Sequence, residues 1–93
     1  MRATLNGHTI AESDDIAIGA GYKYFPASAT RLDLLQKAPK TEADHACPHG
    51  VQFYDVVLDG VRYGRVSWSY ESPRPPLQHV GGRFGFWNEV EVA

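Results

Sequence analysis

The sequence has a single cysteine, Cys47, and no long apolar segment. One thiol cannot form a disulfide within the chain, and it cannot supply the four thiolates of a structural zinc site. No run approaches the roughly 18 apolar residues of a membrane-spanning helix, and residues 1–7 lack the apolar stretch of a signal peptide. We therefore expect a cytoplasmic protein without a membrane partner, a cofactor or a structural metal.

The sequence also lacks an excess of charge of either sign. Nine Lys and Arg residues against eleven Asp and Glu residues give a net charge of −2, and neither half of the chain is basic. A nucleic-acid phosphate backbone is bound by clustered positive charge, so we expect no nucleic-acid partner. Gly19-Ala20-Gly21 is not a phosphate-binding loop, because the lysine and the helix that should follow it are missing.

The length and composition are those of a small globular protein. Ninety-three residues, 43% of them hydrophobic and 22% charged, predict one folded domain over residues 1–93. A chain of this length buries only about 60–65% of the surface that its unfolded form exposes, so a modest core is expected.

Two dipeptides predict β-hairpins. Asn6-Gly7 and Asp59-Gly60 both tolerate the positive φ angles of tight primed turns. Further predicted strands are rich in aromatic or alternating apolar residues and span residues 22–25, 51–58, 61–70, 83–87 and 90–92. The pattern indicates a mainly β fold of small antiparallel sheets.

One short helix is predicted over residues 28–36. Ser28 can cap it, and Leu32 and Leu35 lie at helical spacing. Residues 37–44, which follow, contain a proline and are predicted to form a surface connection.

Counting outward from Asp59-Gly60 predicts how the strands 51–58 and 61–70 pair. On one face the predicted pairs are Leu58–Val61, Val56–Tyr63, Tyr54–Arg65 and Gln52–Ser67. The other face carries the residues predicted to form the core, which are Val51, Phe53, Val66 and Trp68. Gly64 can introduce a bulge that would shift the pairing by one residue and exchange the two faces beyond it.

His45, Cys47 and His49 alternate along the chain, so an extended backbone would place all three on one face. Imidazole and thiolate groups suit zinc or another soft metal. A histidine beside Cys47 could instead activate the thiol as a nucleophile, with His49 as the base. The third interpretation is structural, with Cys47 as a small buried side chain at the entry to a strand. The residues alone leave the three interpretations open.

Polar aromatic side chains and a guanidinium are concentrated near the predicted central hairpin. Tyr24, Tyr54 and Tyr70 could form hydrogen-bonding walls of a small-molecule pocket, with Arg65 as the partner of an anion. Cross-strand packing explains such residues equally well, since tyrosines pack on sheets without any ligand.

A series of short motifs runs through the chain in a fixed order. They are Tyr24-Phe25-Pro26, Leu34-Leu35, Cys47-Pro48-x-Gly50, Tyr54, Trp68-Ser69-Tyr70, Pro73 and Phe84-Gly85-Phe86. In this order the chain resembles the bacterial domain of unknown function 427, a family that sometimes has a nucleotidyltransferase label. The resemblance implies a compact, mostly β fold similar to the β-tent architecture of methionine-R-sulfoxide reductases. Where the family often has a lysine before the glycine of its Cys-Pro segment, this chain has His49.

The residues and the resemblance together favour a small-molecule-binding β domain with a polar pocket beside the central hairpin. One alternative is an enzyme that uses Cys47 and His49 as nucleophile and base. The other is an interaction or self-association module that uses the loop Pro73–Pro76 and Trp87. In its self-association form, copies of the chain would assemble into a homo-oligomer.

Overall fold

The computed structural model describes residues 1–93 and consists mainly of short antiparallel strands. The strands are β1 (Arg2–Leu5), β2 (His8–Glu12), β3 (Ala17–Gly19), β4 (Tyr22–Tyr24), β5 (Leu35–Lys37), β6 (Val51–Leu58), β7 (Val61–Tyr70), β8 (Gly85–Phe86) and β9 (Glu91–Val92). They form three sheets with the orders β2-β1-β9, β3-β4 and β5-β6-β7-β8. The predicted mainly β class, with small antiparallel sheets and one short helix, is confirmed.

Three hairpins turn on two-residue loops whose residues both have positive φ. The predicted turns Asn6-Gly7 and Asp59-Gly60 are confirmed, with φ angles of 48° and 80° in the first and 52° and 79° in the second. The third turn, between β3 and β4, is formed by Ala20 and Gly21. Sequence reasoning missed it, because alanine rarely adopts the left-handed conformation that this turn requires.

The predicted register of the central hairpin β6–β7 is right near the turn and wrong beyond it. Leu58 pairs with Val61 and Val56 with Tyr63 as predicted, but Tyr54 pairs with Ser67 rather than Arg65. Between these pairs one residue of β6, Asp55, faces three residues of β7 (64–66). The bulge predicted at Gly64 is therefore present, but it shifts the register by two residues, and the faces are not exchanged.

The only α-helix, α1 (Glu42–Ala46), lies in the segment that was predicted to be a surface connection. Thr41 caps it, since its side chain accepts the backbone N–H of Asp44 while the Asp44 carboxylate accepts that of Thr41. The helix predicted over residues 28–36 is wrong. That segment forms two 3-10 turns, at residues 27–29 and 32–34, and leads into β5. No helix in the structure has the length and apolar character needed to cross a membrane.

The central sheet buries side chains on both faces. The larger cluster contains Ala3, Leu5, Ile10, Ala11, Phe25, Val56, Leu58, Val66, Phe84, Phe86 and Val90. The smaller cluster is built on Tyr24, Val51, Trp68 and Val80, with Phe53, Tyr70 and Trp87 packed against it. The predicted core face is thus partly wrong, because Val66 belongs to the larger cluster and the face of Val56 and Leu58 is apolar.

The hairpin β3–β4 lies over the smaller cluster and is held there by a close approach at Gly19. A Cβ atom at this position would lie 2.9 Å from a side-chain carbon of Leu77 and 3.2 Å from one of Val80. A larger residue would require the Leu77 and Val80 side chains to shift, so glycine favours the close packing of β3 against the 3-10 turn at residues 78–80.

The alanine in the turn of β3–β4 provides a test of the fold. Ala20 has a φ of 50°, and asparagine tolerates this conformation better than alanine does. We expect Ala20→Asn to raise the free energy of unfolding by about 0.5–1 kcal/mol in a denaturant titration. Asp59→Ala, which puts alanine at the same position of the β6–β7 turn, should lower it by a similar amount. A loss of stability in Ala20→Asn would contradict the assigned turn.

Candidate functional site

Four aromatic side chains meet on the side of the central hairpin that carries the smaller cluster. We call Tyr22, Phe53, Trp68 and Trp87 the aromatic face. The Trp68 and Trp87 ring centroids are 4.9 Å apart, and Tyr22 meets the Trp68 ring edge-on at 4.9 Å. Phe53 stacks on Trp87 at 5.8 Å with 23° between the ring planes. Tyr22 is 41% exposed, Phe53 and Trp87 are half-buried, and Trp68 is 3% exposed. The face is thus an aromatic surface built on a buried indole.

Two contacts fix the indole of Trp68. Its Nε1–H donates to the hydroxyl of Tyr24 at 3.2 Å, and Tyr24 is fully buried. Burial is the main cause that raises the pKa of Tyr24 to about 12, so its hydroxyl is neutral at physiological pH. A Cβ atom at Gly85 would lie 2.7 Å from a carbon of the Trp68 ring, so only glycine admits the indole at this position.

Arg65 borders the aromatic face and is held by four groups. Its backbone, in the left-handed conformation with a φ of 54°, donates its N–H to Asp55 Oδ1 at 2.8 Å. Its carbonyl accepts the indole N–H of Trp87 at 2.7 Å. The guanidinium carbon lies 4.0 Å from the centroid of the Phe53 ring, and Nη1 and Nη2 bond to Asp44. The bulge of β7 therefore places a cation against the aromatic rings.

The carboxylate of Asp44 is the counter-charge of Arg65. It accepts bonds from both terminal nitrogens of Arg65, at 3.0 and 2.9 Å, and from the backbone N–H of Thr41. These hydrogen bonds lower the pKa of Asp44 from 3.8 to about 2. Those from Arg65 have the largest effect, and the one from Thr41 has the next largest. The carboxylate is 5% exposed and the Arg65 side chain 37%. Asp44 thus stays ionised and compensates the charge of Arg65.

Tyr70 lies next to the aromatic face along β7. It is two residues beyond Trp68 on the same strand, and its ring centroid is 6.2 Å from that of Tyr24. The ring of His49 lies 5.4 Å from Tyr70, and His49 Nδ1 accepts the backbone N–H of Arg74 at 2.9 Å. These two contacts of His49 therefore hold the loop after β7 against the start of β6.

His45, Cys47 and His49 do not lie on one extended strand as predicted. His45 is in α1, Cys47 ends that helix and packs against the smaller cluster, and His49 is in the following turn. No hydrogen bond joins the thiol of Cys47 to either imidazole, and the three side chains form no metal-binding group. The three residues do not share an extended strand because α1 includes His45 and ends at Cys47.

Tyr54 faces away from the other predicted site residues. It is next to Phe53 in β6, so its side chain lies on the opposite face of the sheet. Its ring packs against Phe84 at 5.3 Å and against the larger cluster. Burial, and to a lesser extent the carboxylate of Glu71, raise the pKa of Tyr54. Of the predicted ligand-binding residues, the structure therefore brings Tyr24 and Tyr70 together, while Arg65 contacts the aromatic face separately, through Phe53.

A separate depression of about 350 Å³ lies at the margin of the sheet β2-β1-β9. Its lining residues are Met1, Arg2, Thr4, Glu12, Glu91 and Ala93. Arg2 and Glu12 are paired there at 2.7 Å. None of the predicted site residues lines this depression, and it contains no aromatic ring.

Sequence reasoning missed Asp44 and Tyr22 as members of the site. Thr41-x-x-Asp44 has the spacing of a capping box, which would have revealed both the helix and the orientation of the carboxylate. Tyr22 and Tyr24 alternate in a short strand, but nothing in the sequence indicates that this strand crosses over β7.

The Asp44–Arg65 pair predicts how stability depends on pH. The folded-state pKa of Asp44 is depressed from 3.8 to about 2, so its contribution is present above pH 4 and is lost as the pH falls toward 2. We expect Asp44→Asn to lower the free energy of unfolding at pH 7 by about 1–2 kcal/mol. The acid-dependent loss between pH 4 and 2 should be correspondingly smaller in urea titrations of this variant.

Glu42→Gln is the matched control, because Glu42 is an exposed residue of the same helix and has no ion pair. It should retain the wild-type pH dependence. An unchanged acid dependence in Asp44→Asn would contradict the role given to Asp44.

The chain was compared with known proteins and families. The family model described as Domain of unknown function (DUF427), which has the short name NTP_transf_9, matches residues 1–93. The search of curated proteins found no match. Because the family model spans the whole chain, the protein belongs to the domain of unknown function 427 family.

Proposed function

We propose that this protein is a small-molecule-binding β domain whose binding surface is the aromatic face. The observation that carries the proposal is that Tyr22, Phe53 and Trp87 remain partly exposed while each of their rings lies against the buried indole of Trp68. Aromatic rings grouped in this way offer flat surfaces and edges on which a planar ligand can stack.

The surroundings of the aromatic face supply polar groups for orienting a ligand. The guanidinium of Arg65 lies against Phe53, and the phenol of Tyr70 belongs to the residue two beyond Trp68, on the same face of β7. A mostly apolar surface with a few fixed hydrogen-bonding groups is the usual composition of a ligand site.

Because the aromatic face is an open surface, we expect it to bind a ligand with modest affinity. Stacking on one aromatic side chain contributes about 1–3 kcal/mol, so two such contacts and a hydrogen bond support dissociation constants of about 10 µM to 1 mM. The protein should therefore sense or carry an abundant metabolite of modest size rather than retain a scarce one.

The two alternatives from the sequence receive less support from the geometry. Catalysis by Cys47 requires a base, and His49 Nδ1 is occupied by the backbone N–H of Arg74. An interaction module built on the loop 73–76 and Trp87 has little exposed apolar surface, because Pro73 and Trp87 are half-buried and only Pro75 and Pro76 are exposed. Both alternatives remain predictions.

The proposal can be tested by fluorescence titration, because both tryptophans of the chain belong to the aromatic face. Flat ring compounds such as nicotinamide, benzamide and uridine should change the tryptophan emission in a saturable manner. We expect Tyr22→Ala to weaken the binding of these compounds about tenfold, because it removes one aromatic contact of the ligand.

Tyr63→Ala is the matched control for the titration. Tyr63 is a partly buried tyrosine of the same hairpin, but it packs against the larger cluster on the other face. This variant should bind as the wild type does once its fold is verified by circular dichroism. Equal losses in Tyr22→Ala and Tyr63→Ala, or no response of the wild type at millimolar concentrations, would contradict the proposed surface.

A further inference from the structure

We infer that the aromatic face selects an uncharged planar ligand that carries hydrogen-bond acceptors, such as an aromatic amide or a nucleobase, over its anionic counterpart. The inference rests on the proposed function and specifies the ligand class of the same surface. It changes the role predicted for Arg65, which was that of an anion partner.

The charge of Arg65 is compensated within the protein. Its two terminal nitrogens each donate one bond to the buried carboxylate of Asp44, at 3.0 and 2.9 Å. A bidentate pair of this kind has no net charge, and an arriving anion would lie close to the carboxylate as well as to the guanidinium. The pair therefore offers an anion little net attraction.

The hydrogen-bonding capacity of Arg65 is not exhausted by Asp44. A guanidinium has five N–H donors, and the bonds to Asp44 use one on each terminal nitrogen. The Nε–H and the second hydrogen on each terminal nitrogen remain, on a side chain that is 37% exposed. A neutral carbonyl oxygen or ring nitrogen can accept these bonds without a charge of its own.

The other ion pairs near the central hairpin are also balanced. Asp55 accepts the guanidinium of Arg62 at 2.8 Å, and Glu71 pairs with Lys40 at 3.2 Å. Three charged residues near the site in sequence have no ion pair, and they are Lys23, Glu89 and Arg74. Lys23 alternates with Tyr22 and Tyr24 in β4, so its side chain lies on the opposite face of that strand. The other two, Glu89 and Arg74, have opposite signs, so the charges beside the aromatic face give no general preference for anions.

Matched pairs of probes test the inference on the wild-type protein. The pairs are benzamide with benzoate, nicotinamide with nicotinate, and uridine with uridine monophosphate, each titrated at pH 7 and followed by tryptophan fluorescence. In each pair the ring is shared and the charge differs. We expect the neutral member to bind about fivefold more tightly, and its affinity to be independent of salt between about 50 and 500 mM.

The outcomes separate this inference from the proposed function. Anionic probes that bind as tightly as the neutral ones, or more tightly, would overturn the selectivity and leave the binding surface in place. Arg74→Gln would then show whether Arg74 is the source of the attraction. If none of the six probes binds at millimolar concentrations, the surface and its selectivity both fail.

A second measurement uses the counter-charge itself. Asp44→Asn retains an oxygen that can cap α1 but leaves the charge of Arg65 uncompensated. We expect benzoate to bind at least fivefold more tightly to this variant than to the wild type, with the affinity falling as salt increases. Glu42→Gln removes the same charge elsewhere on α1 and should leave the benzoate affinity unchanged. An equal gain in both variants would contradict the specific role of Asp44.

Discussion

The hydrogen bond from the backbone N–H of Arg65 to the carboxylate of Asp55 determines the arrangement of the central hairpin. At this point β7 has three residues opposite a single residue of β6, so the ladder cannot supply a backbone acceptor. The Asp55 side chain takes that place at 2.8 Å, and the Trp87 indole bonds to the Arg65 carbonyl. A left-handed arginine is costly, and it persists because both of its backbone groups are bonded.

The bulge connects the two buried clusters with the aromatic face. It carries Val66 into the larger cluster, and it makes Phe53 and Trp68 a cross-strand pair in the region of the smaller cluster. It also turns the guanidinium of Arg65 toward Phe53 and toward Asp44 of α1. The same two extra residues thus set the core on one side of the sheet and the polar margin of the proposed site on the other.

The sequence predicts the fold class well because its signals are local. Asn6-Gly7 and Asp59-Gly60 specify their turns by themselves, and the register follows correctly as far as Tyr63. The site is less predictable, since Asp44, Tyr22 and Trp87 reach it from segments far apart in the chain. Their positions depend on three features: the capping pair at the start of α1, the turn with alanine at positive φ, and the bulge that adds two residues to β7. Composition and periodicity specify none of these features.

Arg65 is held in the bulge jointly by Asp55 and Trp87. A double-mutant cycle with Asp55→Ala and Trp87→Phe measures this directly, because each change removes one backbone bond of Arg65. If the bulge relaxes when either bond is lost, the double variant will be less destabilised than the sum of the single variants, by about 1 kcal/mol. Destabilisations that add within about 0.3 kcal/mol would contradict the account.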